Sequence, residues 1–96
     1  MNVMSDPGKS NVTRSRFELE EEGEIAWLEF ETDSEGWITL LHTEVPAALR
    51  GRGLANVLAQ TGLEYARDHK LKVDVICPLV AKYVAKNPEF QALVGR

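Results

Sequence analysis

Arg50-Gly51-Arg52-Gly53 joins an apolar extended run, Trp37 to Val45, to a helical pattern, Leu54 to His69. Each part of that join favours an anion. Glycine frees the backbone from the usual φ limits, so successive N–H groups can turn to one side and form an anion-binding concavity. A helix opening at Leu54 adds its unpaired amides and the positive end of its dipole. Arg50 and Arg52 bring fixed charge on planar donor forks that match phosphate. The unit reads as strand, phosphate loop, helix. The alternative is a solvated basic turn in which glycine serves geometry alone.

Other residues could move protons or acyl groups. His42 and Glu44 stand two apart on the extended run, in phase with Leu40, which puts all three on one face. Imidazole titrates near neutral pH and can take a proton from a reacting group. Glu44 could orient or polarise it. A strand histidine satisfied by a backbone carbonyl fits the same spacing. Cys77 ends a second extended run, Lys72 to Cys77, in phase with Val73 and Val75. A helix starting at Pro78 would offer N–H groups that favour a thiolate. Buried free cysteine is otherwise a small hydrophobe. Tyr83 shares a helical stripe with Leu79 and Val80, where a core aromatic is equally at home. His69 sits at a helix end and suits its dipole. The lone cysteine and the separated histidines give no metal-ligand spacing.

The elements that must position these groups follow from periodicity. Arg16 to Glu20 alternates polar and apolar, the period of a half-exposed strand. Glu21-Glu22-Gly23-Glu24 is a turn signal. Ile25 to Glu31 is a second strand with Ala26, Leu28 and Phe30 on one face, and residues 32–36 turn again. Trp37 to Val45 is the third, and Pro46 blocks its continuation. The helix has an apolar face of Leu54, Ala55, Leu58, Ala59, Gly62, Tyr65 and Ala66, whose small residues permit a close approach to a sheet. Lys72 to Cys77 returns through a right-handed crossover, parallel to the third strand. Pro78 opens a second helix. Asn87-Pro88 ends it, and Glu89 to Val94 gives one more helical turn. The order is βββαβα: an α/β fold, α+β by some schemes, built from an antiparallel meander plus one parallel pair.

The loop fits a known signature. Arg50-Gly51-Arg52-Gly53-Leu54-Ala55 resembles the Arg/Gln-x-x-Gly-x-Gly/Ala coenzyme A pyrophosphate loop of the GNAT superfamily of N-acetyltransferases. His42-Thr43-Glu44-Val45-Pro46, Cys77-Pro78, Tyr83 and Asn87-Pro88-Glu89-Phe90 are similar to its small single-domain branch. The resemblance covers about Arg16 to Val94 and implies a minimal GNAT-like fold. It implies acetyl-coenzyme A in a cleft where two parallel strands splay apart, with cofactor contacts at Val45, Arg50, Gly51, Arg52, Gly53, Leu54, Ala55 and Asn87. It implies transfer to a primary amine of a small molecule or a protein lysine. His42, with Glu44, would take the proton, and a backbone amide near Thr43–Val45 would stabilise the oxyanion. Cys77 would lie at the sulfur, as acetyl carrier or pocket wall, and Tyr83 would protonate the departing thiolate. A non-catalytic coenzyme A or acyl-coenzyme A binding module is the alternative function.

Composition bounds these readings. The chain has 96 residues, enough for one small domain, with residues 1–15 read as a disordered tail and 16–96 as the domain. No run approaches the ~20 apolar residues that span a bilayer, and the polar start resembles no signal peptide. A cytoplasmic monomer is expected, with no basic-aromatic alternation to suggest nucleic acid. Charge is uneven: residues 1–44 carry three Lys/Arg against eleven acids, a balance of −8, and residues 45–96 carry eight against four, +4. The phosphate loop thus lies in the basic half. Most of the acids read as a solvated hairpin; the alternative assigns them to attracting a cationic acceptor.

Overall fold

The structure, a computed structural model, describes residues 12–95. Strands β1 (Thr13–Glu21), β2 (Glu24–Thr32) and β3 (Trp37–Glu44) form the antiparallel meander, and β4 (Lys72–Val75) lies parallel to β3. The sheet order is β1-β2-β3-β4. Helix α1 (Leu54–Asp68) makes the crossover and α2 (Pro78–Lys86) follows β4. Short 3-10 turns occupy Ala47–Leu49 and Pro88–Leu93. The expected order and the single parallel pair are both present.

The boundaries differ where tertiary pairing overrides local pattern. β1 begins at Thr13, inside the segment read as a tail, because β2 is long enough to pair with it and Arg14 bonds Glu31 (Nη2 to Oε2, 2.6 Å). Residues 1–11 of that tail lie outside the described residues. β4 stops at Val75, two residues early, where the chain leaves β3. At its far edge Val94 bridges Val73 and the Gly95 N–H bonds the Val73 carbonyl (3.0 Å), a pairing with no local signal.

The core lies under the sheet. Ala26, Leu28, Ile38 and Leu40 point into it from the strands, and Leu58, Leu63 and Ala66 meet them from α1. Leu63, absent from the expected apolar face, is fully buried within it. Val80 and Val84 bring α2 into the same cluster. At Gly62 a Cβ would meet Leu28 Cδ2 at 2.9 Å, Phe17 Cε2 at 3.4 Å and Leu40 Cδ2 at 3.5 Å, so helix and sheet are as close as the small-residue pattern suggests.

That contact decides the sign of one substitution. In a helix interior Gly to Ala normally gains about 1 kcal/mol. Here the added methyl lands on a buried leucine, and overpacking a core costs typically 1–3 kcal/mol. Gly62→Ala should therefore destabilise the fold, by roughly 1 kcal/mol net. Urea denaturation measures this directly, and a raised midpoint would show that the helix can move away from the sheet.

Candidate active site

The site begins where β3 and β4 part. Their pairing ends at Leu40 and Val75, and the Leu40 carbonyl accepts the N–H groups of both Ile76 (2.9 Å) and Cys77 (3.0 Å). Beyond it, Leu41 to Glu44 have no β4 residue in register. A bulge falls at the same place. Opposite β2, Phe30 pairs with Leu40 and Glu29 with His42, leaving Leu41 as the extra residue.

The bulge corrects the expected phase. Ile38, Leu40 and then Thr43 face the core, whereas His42 lies on the other, exposed face, out of step with Leu40. His42 and Glu44 stay together there, with Nε2 and Oε1 3.1 Å apart. A neutral imidazole donating from Nε2 to this carboxylate keeps Nδ1 free as a proton acceptor. The dyad is legible from the spacing, but the face it occupies is set by the bulge.

Past Glu44, Pro46 turns the chain into the 3-10 turn, closed by Leu49 N–H to the Pro46 carbonyl (2.9 Å). Gly51 and Gly53 then take φ of +83° and +77°, where an L side chain is strained, and no atom lies within 4 Å of a Cβ built on either. Gly53 is the N-cap of α1 and gives it no side-chain cap. The first helical bond runs from Val57 N–H to the Gly53 carbonyl (3.2 Å), so the amides of Leu54, Ala55 and Asn56 have no intrahelical acceptor.

These parts enclose a cleft of about 420 Å³ lined by Thr43, Glu44, Val45, Leu49, Arg50, Gly51, Gly53, Leu54, Ala55, Asn56 and Leu79. Six of the residues expected at a cofactor line it: Val45, Arg50, Gly51, Gly53, Leu54 and Ala55. Glu44 links the cleft to His42. Thr43 falls in the segment expected to supply an oxyanion amide, and Leu49, Asn56 and Leu79 are additions to the expected set. Asn56 shares the first helical turn with Leu54 and Ala55, a signal the loop motif itself contains. Leu79, beside Pro78, reaches the cleft only through packing.

Besides His42, which meets the cleft only through Glu44, four expected residues lie outside it. Arg52 does not line the cleft. Its guanidinium reaches the β1–β2 turn, with Nη1 2.9 Å from Glu22 Oε2 and 3.4 Å from Glu21 Oε1. Cys77 is 1% exposed, and its Sγ lies 3.3 Å from Thr43 Oγ1. It is not among the cleft-lining residues. The small-hydrophobe reading fits it, because Cys77 caps α2 from inside the core. Tyr83 and Asn87 line an adjoining groove with Asn56, Leu79, Lys82 and Lys86. Asn87 Nδ2 donates to the Tyr83 carbonyl (2.8 Å), and Tyr83 sits beside Phe90.

The Arg52 contact has a readable signature. Its hydrogen bond and charge hold the Glu22 carboxyl below its ordinary value of 4.5, and Glu22 in turn raises Arg52. A carboxylate whose pKa is lowered in the fold stabilises it above the unfolded value, and that stabilisation fades as pH falls through the folded value. In Arg52→Gln, the Glu22 side-chain carboxyl resonance should titrate at a higher pH than in the unaltered chain. An unchanged NMR titration would mean the ion pair does not persist in solution.

Comparison with known proteins fits this geometry. A family model described as GCN5-related N-acetyl-transferase matches residues 16–93. Over 51 residues the chain is 45% identical to Protein NATD1 of Gallus gallus and of Mus musculus, covering 53% of this chain and 46% of each relative. Protein NATD1 of Danio rerio is 39% identical over 56 residues, 58% of this chain and 51% of its own. The chain spans about half the length of the curated relatives it matches. A crystal structure from Agrobacterium tumefaciens, provisionally assigned as an acetyltransferase, superposes with a TM-score of 0.54 at 21% identity, covering 88% of this chain and 62% of that one, and supports the fold. With its glycine loop at the start of α1, its splayed parallel pair and the family model matched over residues 16–93, the chain belongs to the GCN5-related N-acetyl-transferase family.

Proposed function

We propose that the chain is an acetyl-coenzyme A-dependent N-acetyltransferase acting on a primary amine. The observation that carries this reading is one cleft running from Gly51 and Gly53–Asn56 to Glu44, and through Glu44 to His42. Uncapped amides and left-handed glycines with open space above them suit a pyrophosphate. Arg50 adds charge at the same wall, its Nε donating to the Val45 carbonyl (3.1 Å). Family membership supports the cosubstrate, which supplies the acetyl group as a thioester.

The chain's own groups then have defined roles. The edge of β3 that β4 leaves open orients the pantetheine arm along Thr43 to Val45. A backbone amide there donates to the acetyl carbonyl as charge develops on its oxygen. His42 accepts the ammonium proton of the acceptor amine at Nδ1, while Glu44 holds the ring through Nε2. Cys77 supports the cleft through Thr43, and transfer is direct, with no acetyl-enzyme: the amine nitrogen bonds the acetyl carbon, the C–S bond breaks, and coenzyme A leaves as a thiolate that takes its proton from solvent. Tyr83 forms a wall of the adjoining groove.

Two variants and one binding measurement test this, with thiol release from acetyl-coenzyme A measured across an amine panel. His42→Gln should lower kcat about 100-fold and leave KM for acetyl-coenzyme A unchanged. Cys77→Ala should keep turnover within a few-fold and show no acetyl adduct by mass spectrometry. Coenzyme A at a hundredfold excess over Kd should stabilise the unaltered chain by about 2.7 kcal/mol. Stabilisation without thiol release from any amine would leave a binding module. A hydroxylamine-sensitive adduct on Cys77, formed at the rate of turnover, would overturn direct transfer.

A further inference from the structure

A second groove of about 470 Å³ adjoins the cleft and shares Asn56 and Leu79 with it. Its remaining walls are Lys82, Tyr83, Lys86 and Asn87, all from α2 or its end. Lys82 and Lys86 are one helical turn apart, so their charges stand on one face and repel. Among the described residues neither has a carboxylate within ion-pair distance. Lys86 gains from the C-terminal dipole of α2, but Lys82, in the middle of the helix, gains little. Arg52, by contrast, is already neutralised by Glu21 and Glu22. The uncompensated cations near the cleft are therefore Arg50 on the loop and this lysine pair across Asn56 and Leu79.

We infer that Lys82 and Lys86 form a second phosphate site, separate from the loop, which takes the ribose 3′-phosphomonoester of coenzyme A. The inference rests on the acetyl-coenzyme A reading above. In that ligand the 5′-pyrophosphate and the 3′-phosphate sit on one ribose, so their two sites must be neighbours. The shared residues Asn56 and Leu79 make them so. Leu79 and half-buried Tyr83 offer apolar surface to the adenosine between the charges. Lysine ammonium groups suit this position, because a terminal phosphomonoester is reached as a point charge from solvent, and the fork geometry of arginine is not required. The pair selects coenzyme A over ligands that carry only the pyrophosphate.

Calorimetric titration of the full chain with coenzyme A and with dephospho-coenzyme A tests this. The unaltered chain should bind coenzyme A roughly tenfold more tightly at low salt, a gap that narrows as salt rises. In the Lys82→Gln/Lys86→Gln double variant the two ligands should bind within about twofold of each other, with dephospho-coenzyme A affinity unchanged. Both substitutions are at exposed helix positions, and thermal melts confirm that the variant folds. Equal affinities in the unaltered chain would overturn the inference while leaving the loop site intact. A preference that survives in the double variant would also overturn it, by assigning the 3′-phosphate to other residues. Failure of both ligands to bind the unaltered chain would overturn the acetyl-coenzyme A reading and this site with it.

Discussion

The site depends on one carbonyl. Leu40 accepts the N–H groups of both Ile76 and Cys77, so β4 turns away from β3 there and the ladder stops. A buried backbone group left unpaired costs free energy comparable to a lost hydrogen bond, so this double acceptance is what allows β4 to end without an orphaned donor. β3 continues for four residues with β2 but without β4, and the opening on that side leads into the cleft. The adjacent bulge acts in the same place: it turns His42 to the open face while Thr43 stays inside against Cys77.

Electrostatics then divide the cleft. At one end α1 starts without a side-chain cap, and its free amides are the stabilising partners an anion needs. At the other, Glu44 and His42 form a polar pair suited to proton movement rather than to phosphate. Arg52 takes a structural part instead. It ties the Gly51–Gly53 loop to the β1–β2 turn, where Glu22 and Gly23 both have positive φ. An exposed ion pair of this kind is a weak stabiliser, but it keeps the Glu21–Glu22 charges on the hairpin and off the anion end of the cleft.

What the sequence revealed was what local chemistry determines. Gly51, Gly53 and the helix start at Leu54 are set within six residues, and the glycine loop that opens α1 is legible from them alone. The βββαβα order follows from periodicities of two and 3.6. The errors share one cause: each depends on a partner distant in the chain. The phase of His42 is set by the register of β3 against Glu29 and Phe30. Arg52 is drawn away by Glu22, thirty residues earlier. Cys77 is buried because α2 packs over it, although its place at a strand end suggested access to the cleft. Leu79 and Lys82 carry no motif, and only the meeting of α2 with the first turn of α1 brings them near the loop.

The proposed binding mode has two halves: a pyrophosphate on the loop and the start of α1, and the arm that follows it on the edge of β3 that β4 leaves open. Amide chemical-shift mapping of the 15N-labelled chain during coenzyme A titration tests both halves at once. Saturable shifts should be largest at Gly51 and Gly53–Asn56, with a second set at Thr43–Val45 and little change along β1. Saturation with an unperturbed loop, or with the largest shifts on the β1–β2 hairpin, would contradict it.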